Sequence, residues 1–176
     1  AQVDALVVAE IGRLQQIFSI FDSSSEFERW KRGEVSDPSE EFRELMADAL
    51  EWQVRSGGSF NTAAGVVSAR WRTAAAEGRE PSPDELASLA ASIAQPRFRI
   101  DDGGIPVALD DCSALDLNAI AKGWIVDRAL EVSLRQHPDT AIVINAGGDL
   151  LHHGPEPLRV GIENPLRPYD NEPPVA

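Results

Sequence analysis

The sequence predicts an α+β fold, helices packed on a largely antiparallel sheet, and three observations carry that prediction. Apolar residues recur at helical steps through the first half of the chain. Short apolar runs joined by glycine turns follow in the second half. No regular strand–helix–strand alternation connects them, which argues against a doubly wound parallel sheet. At 176 residues the chain suffices for one domain with a real core and is too short for two.

Val3, Val7, Ile11, Leu14 and Phe18 share one helical face, so a helix opens the sequence. "SSSEFERWKRGE" breaks the pattern as a loop or a short helix. Asp37, Pro38 and Glu40 then supply an N-cap, an N1 proline and a capping-box glutamate. That helix presents Phe42, Leu45, Met46, Ala49 and Trp52 on one side and stops at Gly57-Gly58. "SFNTAAGVVSARW" predicts a tight turn and a short helix ending near Trp71. Ser82, Pro83 and Glu85 repeat the capping logic for a helix through about Ala94.

"RFRI" and "IPVAL", joined through Asp102-Gly103-Gly104, read as a hairpin. A helix to about Arg135 follows, then a strand "AIVI", a turn "NAGGD", and strands near 149–153 and 158–163. The first hairpin and the "NAGGD" turn are expected in the same sheet. From Asn164 the chain is rich in Pro and polar residues and is expected to fray. Of the four tryptophans, Trp52 and Trp71 read as core, and Trp30 and Trp124 as core or ligand-facing.

A net charge of −13 argues against a general nucleic-acid binder and against adsorption to anionic lipid. An anionic ligand would need local help from a lysine, a helix start or a metal ion. The one cysteine, Cys112, excludes an internal disulfide. No apolar run is long enough to span a bilayer, and "AQVDALVV" lacks the basic start of a signal peptide.

The first chemical candidate is "LDLNAIAKGWIVDRAL", residues 115–130, where Lys122-Gly123 stands in the first turns of a helix that must be buried. It is no Walker A loop. Spacing alone favours a solvated lysine. The alternative joins Asp116, the backbone of residues 118–121 and Lys122 into one anion-handling helix start. "NAGGD", residues 145–149, reads most simply as a turn or bulge; its glycines would also let a flat ligand or another backbone come close. "SGGSFN" reads as a helix stop with Phe60 plugging the core. His152 and His153 point to opposite faces of a strand and cannot chelate one metal together. Asp22 and Glu26 suggest no role from spacing.

Taken in order, "FSIFDSSSEFERW", "GGSFN", "DLNAIAKGWIVDRA", "NAGGDL" and "RVGIENP" resemble the FAD:protein FMN transferase family, also called ApbE or thiamine-biosynthesis-lipoprotein-like. The resemblance covers essentially residues 1–165. It implies an ApbE-like core and Mg²⁺-dependent transfer of FMN from FAD to a Thr or Ser hydroxyl of an acceptor protein. It places Asp116 and Lys122 against FAD and makes the Ala119 carbonyl a magnesium ligand, a suitable hard oxygen donor. Phe21 falls where the family usually has a flavin-contacting tyrosine, keeping the stacking face and losing the hydroxyl. Ser59, Phe60 and Asn61 match an FAD-binding stretch that is usually small-Phe-Asp; Asn61 keeps an acceptor and loses a charge.

On this resemblance Asp116, Ala119, Lys122, Phe60 and Asn61 should line one cleft. No nucleophile need come from the enzyme, in keeping with the lack of a Ser-His-Asp pattern. The family pattern also has an N-terminal strand that reaches FAD and a C-terminal segment giving an Asp and a Thr or Ser to the metal. Residues 1–165 therefore read as the central part of such a domain, with 166–176 as a Pro-rich tail. The chain alone is expected not to be a competent transferase. The cell envelope, periplasmic or on the outer face of the inner membrane, is the location the resemblance implies. Two other activities fit the same site: a flavin-binding module without catalysis, and an FAD pyrophosphatase releasing FMN and AMP.

Overall fold

The computed structural model describes residues 2–109, 112–162 and 164. Its helices are α1 (Gln2–Phe18), α2 (Glu26–Lys31), α3 (Glu40–Arg55), α4 (Gly65–Ala76), α5 (Pro83–Ser92) and α6 (Asn118–Gln136). Strands β1 (Phe98–Ile100) and β2 (Pro106–Ala108) lie between α5 and α6; β3 (Ile142–Ala146) and β4 (Asp149–His153) follow α6. The α+β expectation holds. The sheet differs: each strand pair is a separate antiparallel hairpin, so among the described residues the two hairpins share no sheet. Helices fill the space between them. The expected strand at 158–163 does not form over 158–162, and the Pro-rich tail, 166–176, lies outside the described residues.

Helices α1 and α6 pack along each other, and their apolar faces divide between two cores. The larger gathers Leu14 and Phe18 of α1, Phe27 and Trp30 of α2, Phe42 and Met46 of α3, and Trp124 of α6. Phe42 is its hub, with ring centroids 6.2 Å from Phe18, 6.2 Å from Phe27 and 5.5 Å from Trp30. The indole N–H of Trp30 donates to the Pro106 carbonyl at 3.1 Å, and its ring meets Phe98 edge-on at 6.0 Å. The first hairpin is thereby pinned to the helices. The smaller core packs Val126 of α6 against Ile142 and Ile144 of β3, closed by Val3 and Val7.

Helix α3 begins two residues later than the Asp37 cap predicts. Ser39 is the cap: its hydroxyl accepts from the Phe42 N–H at 3.3 Å. The Glu26 carboxylate of α2 receives both the Ser39 N–H and the Ser39 hydroxyl, at 2.5 and 2.7 Å. A partner from another helix therefore fixes the cap, and Asp37 binds Arg43 instead. Trp52 is corrected too, being 50% exposed with Arg55 stacked on its ring. Gln53 occupies the buried place beside it, because its carbonyl oxygen accepts from both the N–H and the hydroxyl of Thr62. Trp71 is likewise 45% exposed, since α4 continues to Ala76 and buries only Ala74. Trp30 and Trp124 are core.

Ser82 and Glu85 form the expected capping box at α5, and the helix ends at Ser92 rather than Ala94. Arg70 and Arg79 both bind the same Glu85 carboxylate. The Arg70 guanidinium, then the Ser82 N–H, hold the Glu85 carboxyl below its ordinary 4.5. A depressed carboxyl contributes stability above its unfolded value and loses it as pH falls through the folded one. Because α5 buries no residue, its start should loosen below about pH 4.5 while the core persists. Glu85→Gln should give the same loosening at neutral pH, read from α5 Cα chemical shifts.

Candidate functional site

The end of α1 projects Phe21 outward by means of a serine-rich turn. Ser19 Oγ accepts the N–H groups of Phe21 and Asp22, each at 3.2 Å, and the buried Ser25 hydroxyl donates back to the Ser19 carbonyl at 2.7 Å. Two bonds from Ser24 occupy Asp22 Oδ1 and hold that carboxyl below its usual range. The result is a phenylalanine ring 91% exposed beside an otherwise apolar hollow.

That hollow is a cleft of about 420 Å³ between the end of α1, the start of α6 and the β3–β4 turn. Ile11, Phe18, Ile20 and Ile125 give it an apolar floor; Phe21, Asn118, Lys122 and Gly147 stand at its edge. Its size is within the roughly 300–1,000 Å³ common for small-molecule sites.

Lys122 spans two segments that are weak signals separately. Its ammonium lies 3.0 Å from Asp149 Oδ2 and 3.5 Å from the Gly147 carbonyl, which it approaches as donor. Gly147 and Gly148 are the two loop residues of the β3–β4 hairpin, with φ of 62° and 97°. A two-residue turn with both φ positive is the geometry that glycine adopts without strain. It folds the Gly147 carbonyl and Asp149 carboxylate toward α6.

Of the expected site residues, Phe21 and Lys122 meet in this hollow, and Asn61 lies in another. Asn61 lines a second hollow of about 520 Å³ with Gly57, Gly58 and Ile93. Its side chain is occupied, donating to the Ile93 carbonyl and accepting from the Ala63 N–H, both at 2.8 Å. Phe60 packs partly buried against the larger core, and Ser59 is exposed on the same loop. Asp116 joins the two regions: its N–H donates to the Thr62 carbonyl at 2.8 Å, while Oδ1 accepts from the Asn118 N–H at 2.8 Å. Asp116 and Asn61 therefore lie on neighbouring segments.

Ala119 is exposed in the first turn of α6, where a backbone carbonyl serves the helical ladder. Among the described residues no three His, Cys, Asp or Glu side chains cluster as a metal site. Asp149 faces Lys122, and one Asp116 oxygen already accepts a backbone bond. These groups do not make a magnesium site between them. His152 and His153 are exposed on β4 and join no such cluster. Asp149 was visible in sequence only as the end of a turn motif.

Gly65, the first residue of α4, presses on the segment that carries Asp116. A Cβ placed there would lie 2.6 Å from the Ala114 carbonyl oxygen and 3.5 Å from Asp116 Cβ. Helix propensity favours Ala over Gly by about 1 kcal/mol, so the sign of the change is informative. Gly65→Ala should destabilise the protein by about 1–3 kcal/mol through overpacking. A rise in the urea midpoint would mean that the 112–117 segment yields without cost.

The family model described as ApbE matches residues 1–175. An FAD:protein FMN transferase of Treponema pallidum (strain Nichols) is 29% identical over 116 residues, 62% of this chain and 32% of its own length. Among solved structures, the flavin transferase ApbE from Vibrio cholerae superposes with a TM-score of 0.71 at 20% identity, over 93% of this chain and 55% of that one. The apo Pseudomonas stutzeri flavinyl transferase ApbE gives 0.68 at 25% identity, over 92% and 53%. The chain thus spans about a third of the curated relative and about half of the solved ones. Because the family model matches nearly the whole length, the chain belongs to the ApbE family.

Proposed function

We propose that residues 1–165 form the central part of an FAD:protein FMN transferase, with FAD as substrate and a Thr or Ser hydroxyl of a partner protein as acceptor. The observation that carries this is the cleft in which an exposed aromatic ring and the Lys122 ammonium share one edge. Phe21 offers a face for a flavin ring to stack on. Lys122 offers a point charge for a phosphate in a chain whose net charge of −13 otherwise repels one. The names of the relatives support the reading.

In the reaction the acceptor oxygen forms a bond to the phosphorus on the riboflavin side of FAD. The pyrophosphate P–O bond breaks, AMP leaves with the electron pair, and the hydroxyl proton passes to solvent or a base. Lys122 holds phosphate charge, and the apolar floor keeps water from one side of the flavin. Magnesium dependence and a cell-envelope location belong to the same proposal, supported by resemblance. Ala119 would be one ligand of the metal.

A non-catalytic flavin-binding module is the second reading, favoured by Asn61, which is uncharged and whose amide is engaged by Ile93 and Ala63. The test is product analysis by intact mass after incubation with FAD, Mg²⁺ and an acceptor protein. The chain alone should bind FAD weakly and leave the acceptor unmodified. Residues 1–165 grafted in place of the matching segment of the Vibrio cholerae enzyme should add FMN to the acceptor. A graft that retains FAD without transfer would favour the binding module, and free FMN with AMP would show a pyrophosphatase. Absence of FAD binding in both would sink the flavin reading.

A further inference from the structure

We propose that Asp149 is a positioning residue for Lys122: with the Gly147 carbonyl it tethers the ammonium at the cleft edge and leaves one N–H for a ligand phosphate. The inference rests on the flavin reading above and adds the residue that makes Lys122 effective. An ammonium has three donors. Two have partners here, Asp149 Oδ2 at 3.0 Å and the Gly147 carbonyl at 3.5 Å. The third has none among the described residues, and Lys122 lines the cleft.

The pair is not explained by stability. Both side chains are about half exposed, at 49% and 50%. Exposed ion pairs contribute little to folding, because water screens them and two long side chains lose freedom. What the pair does supply is location. A lysine held at both ends, by α6 at its backbone and by the β3–β4 turn at its nitrogen, meets a phosphate without first losing its rotamer freedom. Asp149 also repels an incoming phosphate, so its two effects oppose each other. Replacing the charge while keeping the acceptor separates them.

The experiment compares Asp149→Asn with Asp149→Ala in otherwise intact protein. Both remove the negative charge, and only Asn retains an oxygen for Lys122. FAD should bind Asp149→Asn more tightly than Asp149→Ala by about two- to tenfold, the cost of ordering one long side chain on binding. The gap should close in a Lys122→Ala background and should be absent for riboflavin, which carries no phosphate. A gap of equal size with riboflavin would mean that Asp149→Ala damages the cleft as a whole. Equal FAD affinity of the two variants, both tighter than wild type, would show Asp149 to be a repulsive charge only and would overturn the proposal.

A flavin-independent arm keeps the two claims apart. The sequence contains two lysines, Lys31 and Lys122, so lysine-selective isotope labelling gives two side-chain signals. Lys31, paired with Glu28 at 2.8 Å, serves as the internal reference. Lys122 should be restrained in wild type and in Asp149→Asn, and as mobile as a solvated lysine in Asp149→Ala. Equal mobility in all three would refute the tether. If the tether is present but FAD does not bind, the flavin reading fails, and inorganic pyrophosphate replaces FAD as the probe. Pyrophosphate should then follow the same order, Asp149→Asn above Asp149→Ala; equal affinities would again overturn the positioning role.

Discussion

Phe42→Ala is expected to lower folding stability by about 3–5 kcal/mol, as for other buried aromatic truncations. Phe42 is fully buried and touches three aromatic rings drawn from α1 and α2. Its removal takes away packing on three sides at once, and rings of that size cannot close the gap by rotamer change alone. Against a typical total of about 5–15 kcal/mol, the variant would stand near the edge of folding. Urea unfolding with an unchanged slope and a lowered midpoint would measure the loss. Phe21→Ala is the control, since a ring 91% exposed should change the midpoint little. A loss below about 1 kcal/mol for Phe42→Ala would show that the core repacks around the vacancy, contrary to the cavity cost expected of a close-packed interior.

Lys122→Ala should weaken FAD binding by about 1.5–3 kcal/mol, the usual worth of a hydrogen bond to a charged group. That is roughly ten- to a hundredfold in affinity. Riboflavin should bind the variant as well as it binds wild type, because the lost contact is with phosphate. Added salt should narrow the FAD difference, since Lys122 is about half exposed and its field is screened. Equilibrium dialysis with the two ligands gives both numbers. An unchanged FAD affinity would make Lys122 a solvated lysine docking α6 to the hairpin, with no part in binding.

What was legible in the sequence was what short range decides. The Ser82-Pro83-Glu85 cap forms because its donors and acceptors lie within four residues. The "NAGGD" turn forms because two glycines accept positive φ. Asp37-Pro38-Glu40 carries the same local signal as the α5 cap, yet loses to Ser39, because Glu26 reaches it from thirteen residues away. Helical period located the buried side of α3 and left its flank open; a buried glutamine bonded to Thr62 took the place expected for Trp52. The site shows the same division. Lys122 and the "NAGGD" turn were each visible, but their meeting depends on how β3 packs on α6. Asn61 reads as a ligand contact from its motif, whereas its amide closes a bond to Ile93, 32 residues on.

The uneven burial of the four tryptophans has an optical consequence. Trp30 and Trp124 are 4% and 9% exposed, while Trp52 and Trp71 are 50% and 45% exposed. The inner pair emits from an apolar surrounding and shifts to the red when the core opens. The outer pair emits from a wet surrounding in both states and adds a nearly constant background. Trp124 also lies two residues beyond Lys122, with the Phe18 ring against it at 5.5 Å. Flavins absorb where tryptophan emits, so a flavin in the Phe21 cleft would lower the emission intensity. Replacing Trp52 and Trp71 by Phe, at exposed positions where neither packs the core, would leave a chain whose native fluorescence reports unfolding by colour and occupancy by intensity.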